Sequence, residues 1–182
     1  MSRGNETARE RDDTGWWRPR GRRAGALALT IGALGWALAL VLVPWLVARR
    51  PEALALRPVA AVAYLSGSLV CHQRPERSFH PWGVQMPVCA RCFGLYAPAP
   101  LGAALALAAG AGWFGRRRRM TVRQVRALLL VTGLPTAVTW AAEWLGLVAL
   151  SPAIRFAAAM PLGLAVAWVL VGAVGDGIEG IG

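Results

Sequence analysis

The sequence predicts an all-α, polytopic integral membrane helix bundle. It has about four transmembrane helices plus one short apolar or re-entrant helix ahead of Cys71. Three observations carry this. Hydrophobic residues make up 56% of the 182-residue chain. Four nearly uncharged stretches reach the roughly 20 residues a helix needs to cross hydrocarbon. The formal charge of +11 comes entirely from arginine, and those arginines cluster between the apolar stretches. Basic residues placed as punctuation suit a multi-span membrane protein, with the lipid bilayer as its partner. A nucleic-acid-binding protein would gather them on one folded face, so nucleic acid is not an expected partner.

Residues 1–23 alternate arginine with Asp and Glu and have little to bury, which predicts a disordered basic N-terminal tail. Trp16 and Trp17 in it suit the headgroup region. The first span runs from Ala24 to Ala48, between Arg23 and Arg49. It is longer than the apolar segment of a signal peptide and follows a long hydrophilic tail, so it is expected to be a retained anchor. Pro58 to Val70 is apolar but short, and such a segment lies in the interface, re-enters or packs on other helices more often than it spans. A Cys/His loop over 71–92 follows. The second span is expected from Cys92 to Gly115 and the third from Ala127 to Ile154, with Glu143 its one charge. The fourth runs from Phe156 to Gly175, between Arg155 and Asp176, leaving 176–182 as a short C-terminal tail. Residues 24–175 thus form one bundle domain.

Pro44, Pro98, Pro100 and Pro135 fall inside apolar stretches and predict kinks whose freed carbonyls find partners on neighbouring helices. The Ala- and Gly-rich run Leu101 to Gly112 predicts close helix approach, since small residues let backbones touch where hydrophobic burial gives no drive. Orientation follows from arginine. The tail holds seven arginines and the Gly115–Arg126 segment six, and positive segments stay in the cytoplasm. Both are cytoplasmic only if 58–70 makes no full crossing. The expectation is a multi-pass plasma-membrane protein with a cytoplasmic N-terminus and an extracytoplasmic Cys/His loop.

Every cysteine and histidine of the chain lies between positions 71 and 92: Cys71, His72, His80, Cys89 and Cys92. Cys89-Ala-Arg-Cys92 has the spacing that lets two thiolates converge on one atom, and Cys71 with either histidine would complete a Cys3His shell. Zinc is the expected ion, with ferrous iron and cuprous copper as other ions that accept soft ligands. Cys71 and His72 are adjacent, which makes joint ligation awkward and leaves His80 the sterically easier choice. The same Cys-x-x-Cys also fits thiol–disulfide chemistry, with one thiol acidified at a helix start beside Arg91. Arg74, Arg77 and Arg91 are positioned to act behind the ligands or to contact an anion. Glu143 within an apolar stretch predicts a carboxylate turned to the bundle interior, with Arg155 as a possible mate. Either a structural pair or an ion path would use them.

The run Cys71-His-Gln-Arg-Pro-Glu-Arg-Ser-Phe79, with Pro87-Val-Cys-Ala-Arg-Cys92 and Gly94-x-Tyr96, resembles the prokaryotic membrane-protein family catalogued as domain of unknown function 2085. The likeness is close over about residues 60–110 and looser beyond, where Pro135, Gly146 and Arg155 correspond to a Pro, Gly and Arg. Two positions depart from the pattern: Phe93 replaces a small polar residue, and Thr139 an acidic one, with Glu143 a substitute one turn along. The resemblance implies that Cys71, His72, Pro75, Arg77, Ser78, Cys89, Arg91 and Cys92 belong to a family signature. It favours His72 over His80 as ligand and implies no activity, substrate or cofactor.

The leading reading is therefore a metal-binding membrane protein using Cys71, His72, Cys89 and Cys92. A membrane thiol–disulfide oxidoreductase using Cys89 and Cys92, and a small-solute or lipid transporter using Glu143 and Arg155, are the alternatives. No P-loop, dinucleotide fingerprint or His-Glu-x-x-His run is present, and no catalytic residue or protein partner is indicated.

Overall fold

The computed structural model describes residues 19–50, 57–111 and 120–176, and among these all regular structure is helical. The helices are α1 (Pro19–Arg49), α2 (Arg57–Val70), α3 (Ala90–Tyr96), α4 (Ala99–Gly110), α5 (Val122–Trp144) and α6 (Pro152–Asp176). Two 3-10 turns, Pro75–Arg77 and Pro81–Gly83, sit in the loop between α2 and α3. Four segments are long and apolar enough to cross a membrane: Gly21–Arg49, Ala90–Gly110, Val122–Trp144 and Pro152–Gly175. The expected disorder of the tail up to residue 18, the Arg116–Arg119 block and the tail from 177 on lie outside the described residues.

Several boundaries differ from the sequence reading, each for a local reason. Helix α1 begins at Pro19, within the expected tail, because proline is tolerated in a first turn where its missing N–H costs nothing. The second span starts at Ala90 rather than Cys92 and breaks into α3 and α4 at Ala97–Pro98, where two prolines in three residues interrupt the hydrogen-bond ladder. The third does not run to Ile154. Helix α5 starts at Val122, behind a capping box in which Thr121 and Gln124 exchange hydrogen bonds, and stops at Trp144. Gly146 supplies the left-handed residue (φ 71°), its N–H donating to the Glu143 carbonyl and that of Leu147 to the Ala142 carbonyl. That double bond pattern is a Schellman stop. Pro161, inside α6, is a further helix proline that the sequence reading passed over. The 14 residues of α2 extend only about 21 Å, short of the ~30 Å hydrocarbon core.

Helix α6 is the hub, packing on α1, α3, α4 and α5. Small residues make this possible. A Cβ at Gly163 would collide with the Leu95 carbonyl oxygen, one at Gly102 with that of Leu164, and one at Gly94 with that of Phe156. Backbone-to-backbone contact of this kind is how helices associate in lipid, where apolar burial offers little. Ala26, Ala103, Ala106, Ala167 and Val171 form one buried cluster along this seam. Helix α5 buries no residue fully, and Leu130, Val131, Leu134 and Val138 on it are exposed, as expected of a lipid-facing span. Across the α5–α6 seam, Thr136 Oγ1 donates to the Ala158 carbonyl at 2.8 Å.

Candidate metal centre

The loop is anchored first by apolar contact. Phe79 meets Phe93 at 6.2 Å and Phe156 at 5.9 Å between ring centroids, and Phe93 stacks on Phe156 at 5.2 Å. Phe93 is one of the departures from the family pattern, and here it joins the loop to α3 and α6 within one aromatic group. Met86 and Val88 are buried with Leu40 of α1 beneath the loop.

Polar groups then set the register. Gln73 adopts a left-handed backbone (φ 47°), which turns the chain immediately after Cys71. Its side-chain amide donates to the Tyr64 carbonyl (2.7 Å) and the Pro87 carbonyl (2.6 Å), tying the middle of α2 to the segment before Cys89. Gln85 returns a bond from its amide to the Gln73 carbonyl at 2.6 Å, and the Tyr64 hydroxyl donates to the Gln85 carbonyl. Gly67 belongs to the same clamp, because a Cβ there would overlap the Pro87 carbonyl. None of Gln73, Gln85 or Tyr64 was singled out from sequence. The usable signal was position: Gln73 lies two residues beyond Cys71 inside the Cys-His-Gln run.

The result is convergence. The sulfur atoms of Cys71, Cys89 and Cys92 all lie within 4.8 Å of one another. Cys71 Sγ accepts the backbone N–H of Cys89 at 3.2 Å and, more weakly, that of Gln73 at 3.5 Å. The Cys89 thiol is pushed down to about 5, first by a hydrogen bond from the Cys92 thiol and then by the backbone N–H of Cys92, the Cys71 side chain and the Arg91 N–H. Burial opposes this without cancelling it.

Neither histidine joins the group. His72 is exposed and borders the same cavity as the cysteines; His80 is exposed on a separate apolar groove with Trp82 and Met86. The four-donor Cys3His arrangement expected from sequence is therefore three sulfurs here. Cys71 is half-buried within the sulfur group, whereas His72 is exposed on the lining of the cavity beside it.

The three arginines divide. Arg74 and Arg77 are exposed and line the cavity, about 380 Å³ in volume. Arg91 instead turns away from the sulfurs, and its Nη2 reaches Glu143 Oε2 at 2.9 Å. Arg155 Nε donates to the other carboxylate oxygen, Oε1, at 2.7 Å, and its Nη1 to the Glu76 carbonyl at 3.3 Å. One carboxylate thus holds two guanidiniums, with side chains 8% (Glu143), 16% (Arg91) and 11% (Arg155) exposed. Thr139, one turn before Glu143, also faces Arg91, at 3.5 Å. Arg91 Nε is buried with no partner among the described residues. The triad joins α3, α5, α6 and the loop at one end of the bundle, directly beside the cysteines.

An all-helical bundle with four apolar helices of spanning length, carrying a three-sulfur loop at one end, defines a polytopic membrane protein with a candidate metal centre. The model of the predicted membrane protein family DUF2085 matches residues 71–169, and the chain belongs to that family. A stretch of 38 residues is 53% identical to an uncharacterised protein, MJ1492, of Methanocaldococcus jannaschii, covering 21% of this chain and 24% of that protein. The chain therefore spans about a quarter of the length of this curated relative. No solved structure matches.

Proposed function

We propose that this protein binds a transition-metal ion, zinc being the expected one, through Cys71, Cys89 and Cys92 at the boundary of the membrane. The observation that carries this is the 4.8 Å limit on the three sulfur separations. Zinc–sulfur bonds of about 2.3 Å in a tetrahedron put sulfurs about 3.8 Å apart, so an ion fits with small side-chain adjustment. The Cys89 thiol, pushed down to about 5, is ionised at neutral pH, and a bound ion displaces the protons of the remaining ligands. A fourth donor comes from the cavity, whose lining includes His72.

Equilibrium dialysis of detergent-purified protein against limiting zinc tests the reading. About one ion per chain is expected, displaced by a strong chelator with recovery of three reactive thiols. No retained metal in fully reduced protein contradicts it.

A second reading draws on one observation. A thiol near pKa 5 beside a second thiol is the arrangement of a disulfide-exchange pair, and Cys89 with Cys92 would serve as such. A Cys89–Cys92 disulfide that cycles with reductant in metal-free protein would favour it.

The loop is assigned to the extracytoplasmic side on the arginine distribution. His80 is exposed and outside the sulfur group, so His80→Cys offers a labelling site. An impermeant maleimide should label it in intact cells above the parent protein; labelling only after permeabilisation reverses the orientation.

A further inference from the structure

We infer that the cavity over the three cysteines binds a phosphate-bearing anion, one of whose oxygens completes the coordination of the metal while Arg74 and Arg77 hold the others. This rests on the metal reading above and names the ligand of that site. Three cysteines supply three of the four donors a tetrahedral ion takes, and all three line one cavity of about 380 Å³. That volume exceeds what a water ligand needs.

Charge selects the sign of the occupant. Three thiolates, one divalent ion and two guanidiniums carry a single net positive charge, so the loaded site favours an anion. Among the described residues, neither Arg74 nor Arg77 is paired with a carboxylate. Arg91, the third arginine of the loop, is already committed to Glu143 and sits outside the cavity lining. The free cations are therefore the two beside the sulfurs. Guanidinium forks match phosphate oxygens two at a time, and a metal plus two forks makes a three-sided cradle suited to a tetrahedral anion. Trp144, 75% exposed, and Val70, 56% exposed, both line the cavity from the ends of two apolar helices. Exposed apolar side chains at a cavity rim suit the membrane interface, so the phosphate can come from a lipid headgroup or from free phosphate.

The test uses full-length protein loaded with cobalt(II), whose visible bands report its ligands. Inorganic phosphate is titrated into protein in maltoside micelles. In parallel, the protein is placed in discs of phosphatidylglycerol or of a phosphate-free galactolipid. Saturable band shifts are expected. A response confined to inorganic phosphate assigns a soluble ligand, and a shift in phosphatidylglycerol but not galactolipid discs assigns a headgroup. The double variant Arg74→Gln/Arg77→Gln should keep its cobalt and weaken the phosphate response about a hundredfold, since each charge-assisted contact is worth about tenfold. Cobalt that loads but answers neither probe overturns the inference and leaves the metal reading standing. So does a shift that persists in the double variant, or a spectrum that changes on His72→Ala, which would put imidazole in the fourth position. Failure to load cobalt at all overturns both readings.

Discussion

Glu143→Gln is expected to destabilise the protein by about 3–5 kcal/mol, the usual cost of stranding a buried charge by removing its partner. Among the described residues the carboxylate is the sole acidic group on two guanidiniums, each oxygen taken by one of them. Glutamine keeps the shape and at best one acceptor, and leaves two largely buried cations facing each other across α3 and α6. Arg91→Gln should cost less, because it leaves a balanced Glu143–Arg155 pair and removes the unpartnered Nε. Denaturant unfolding of both variants in one detergent orders them, and equal stabilities would show that the triad does not tie the helices. Arg91 lies between Cys89 and Cys92, so Glu143→Gln should also weaken metal binding by about 10–100-fold, as loss of supporting contacts does elsewhere.

Cys71→Ser is expected to lower metal affinity by at least about a hundredfold. Structural zinc sites bind with about 10–16 kcal/mol, or roughly 3 kcal/mol for each of four donors, and a hydroxyl returns little of that. The substitution also replaces the sulfur that accepts the Cys89 and Gln73 N–H groups, so the loop loses a joint between α2 and α3. Chelator competition measures the affinity. An unchanged value would remove Cys71 from the shell and return Cys89 and Cys92 to the role of an isolated dithiol.

Composition and charge spacing made the helical bundle legible, because apolar length and arginine clusters report lipid directly. Helix ends were less so. The stop at Gly146 depends on a single left-handed residue inside an apolar run, and hydropathy counts straight through it. The break at Pro98 was visible as proline but not as two separate helices. At the site, Cys89-x-x-Cys92 spacing identified a pair of convergent sulfurs, and the Cys71-His-Gln run marked the third. What periodicity could not reveal was direction. Whether Cys71 or His72 turns inward is decided by the Gln73 turn and its bonds to Tyr64 and Pro87, contacts made across 9 and 14 residues. The division of the arginines had the same origin. Arg91 looked like a neighbour of the sulfurs, and a carboxylate 52 residues away claims it instead.

The claim on which the rest depends is that three sulfurs share one ion. X-ray absorption at the zinc edge, on protein purified with its metal, counts them directly. The account predicts three sulfur neighbours at about 2.3 Å and one lighter oxygen or nitrogen neighbour near 2.0 Å. A shell of oxygen and nitrogen alone, with no sulfur scattering, would contradict it.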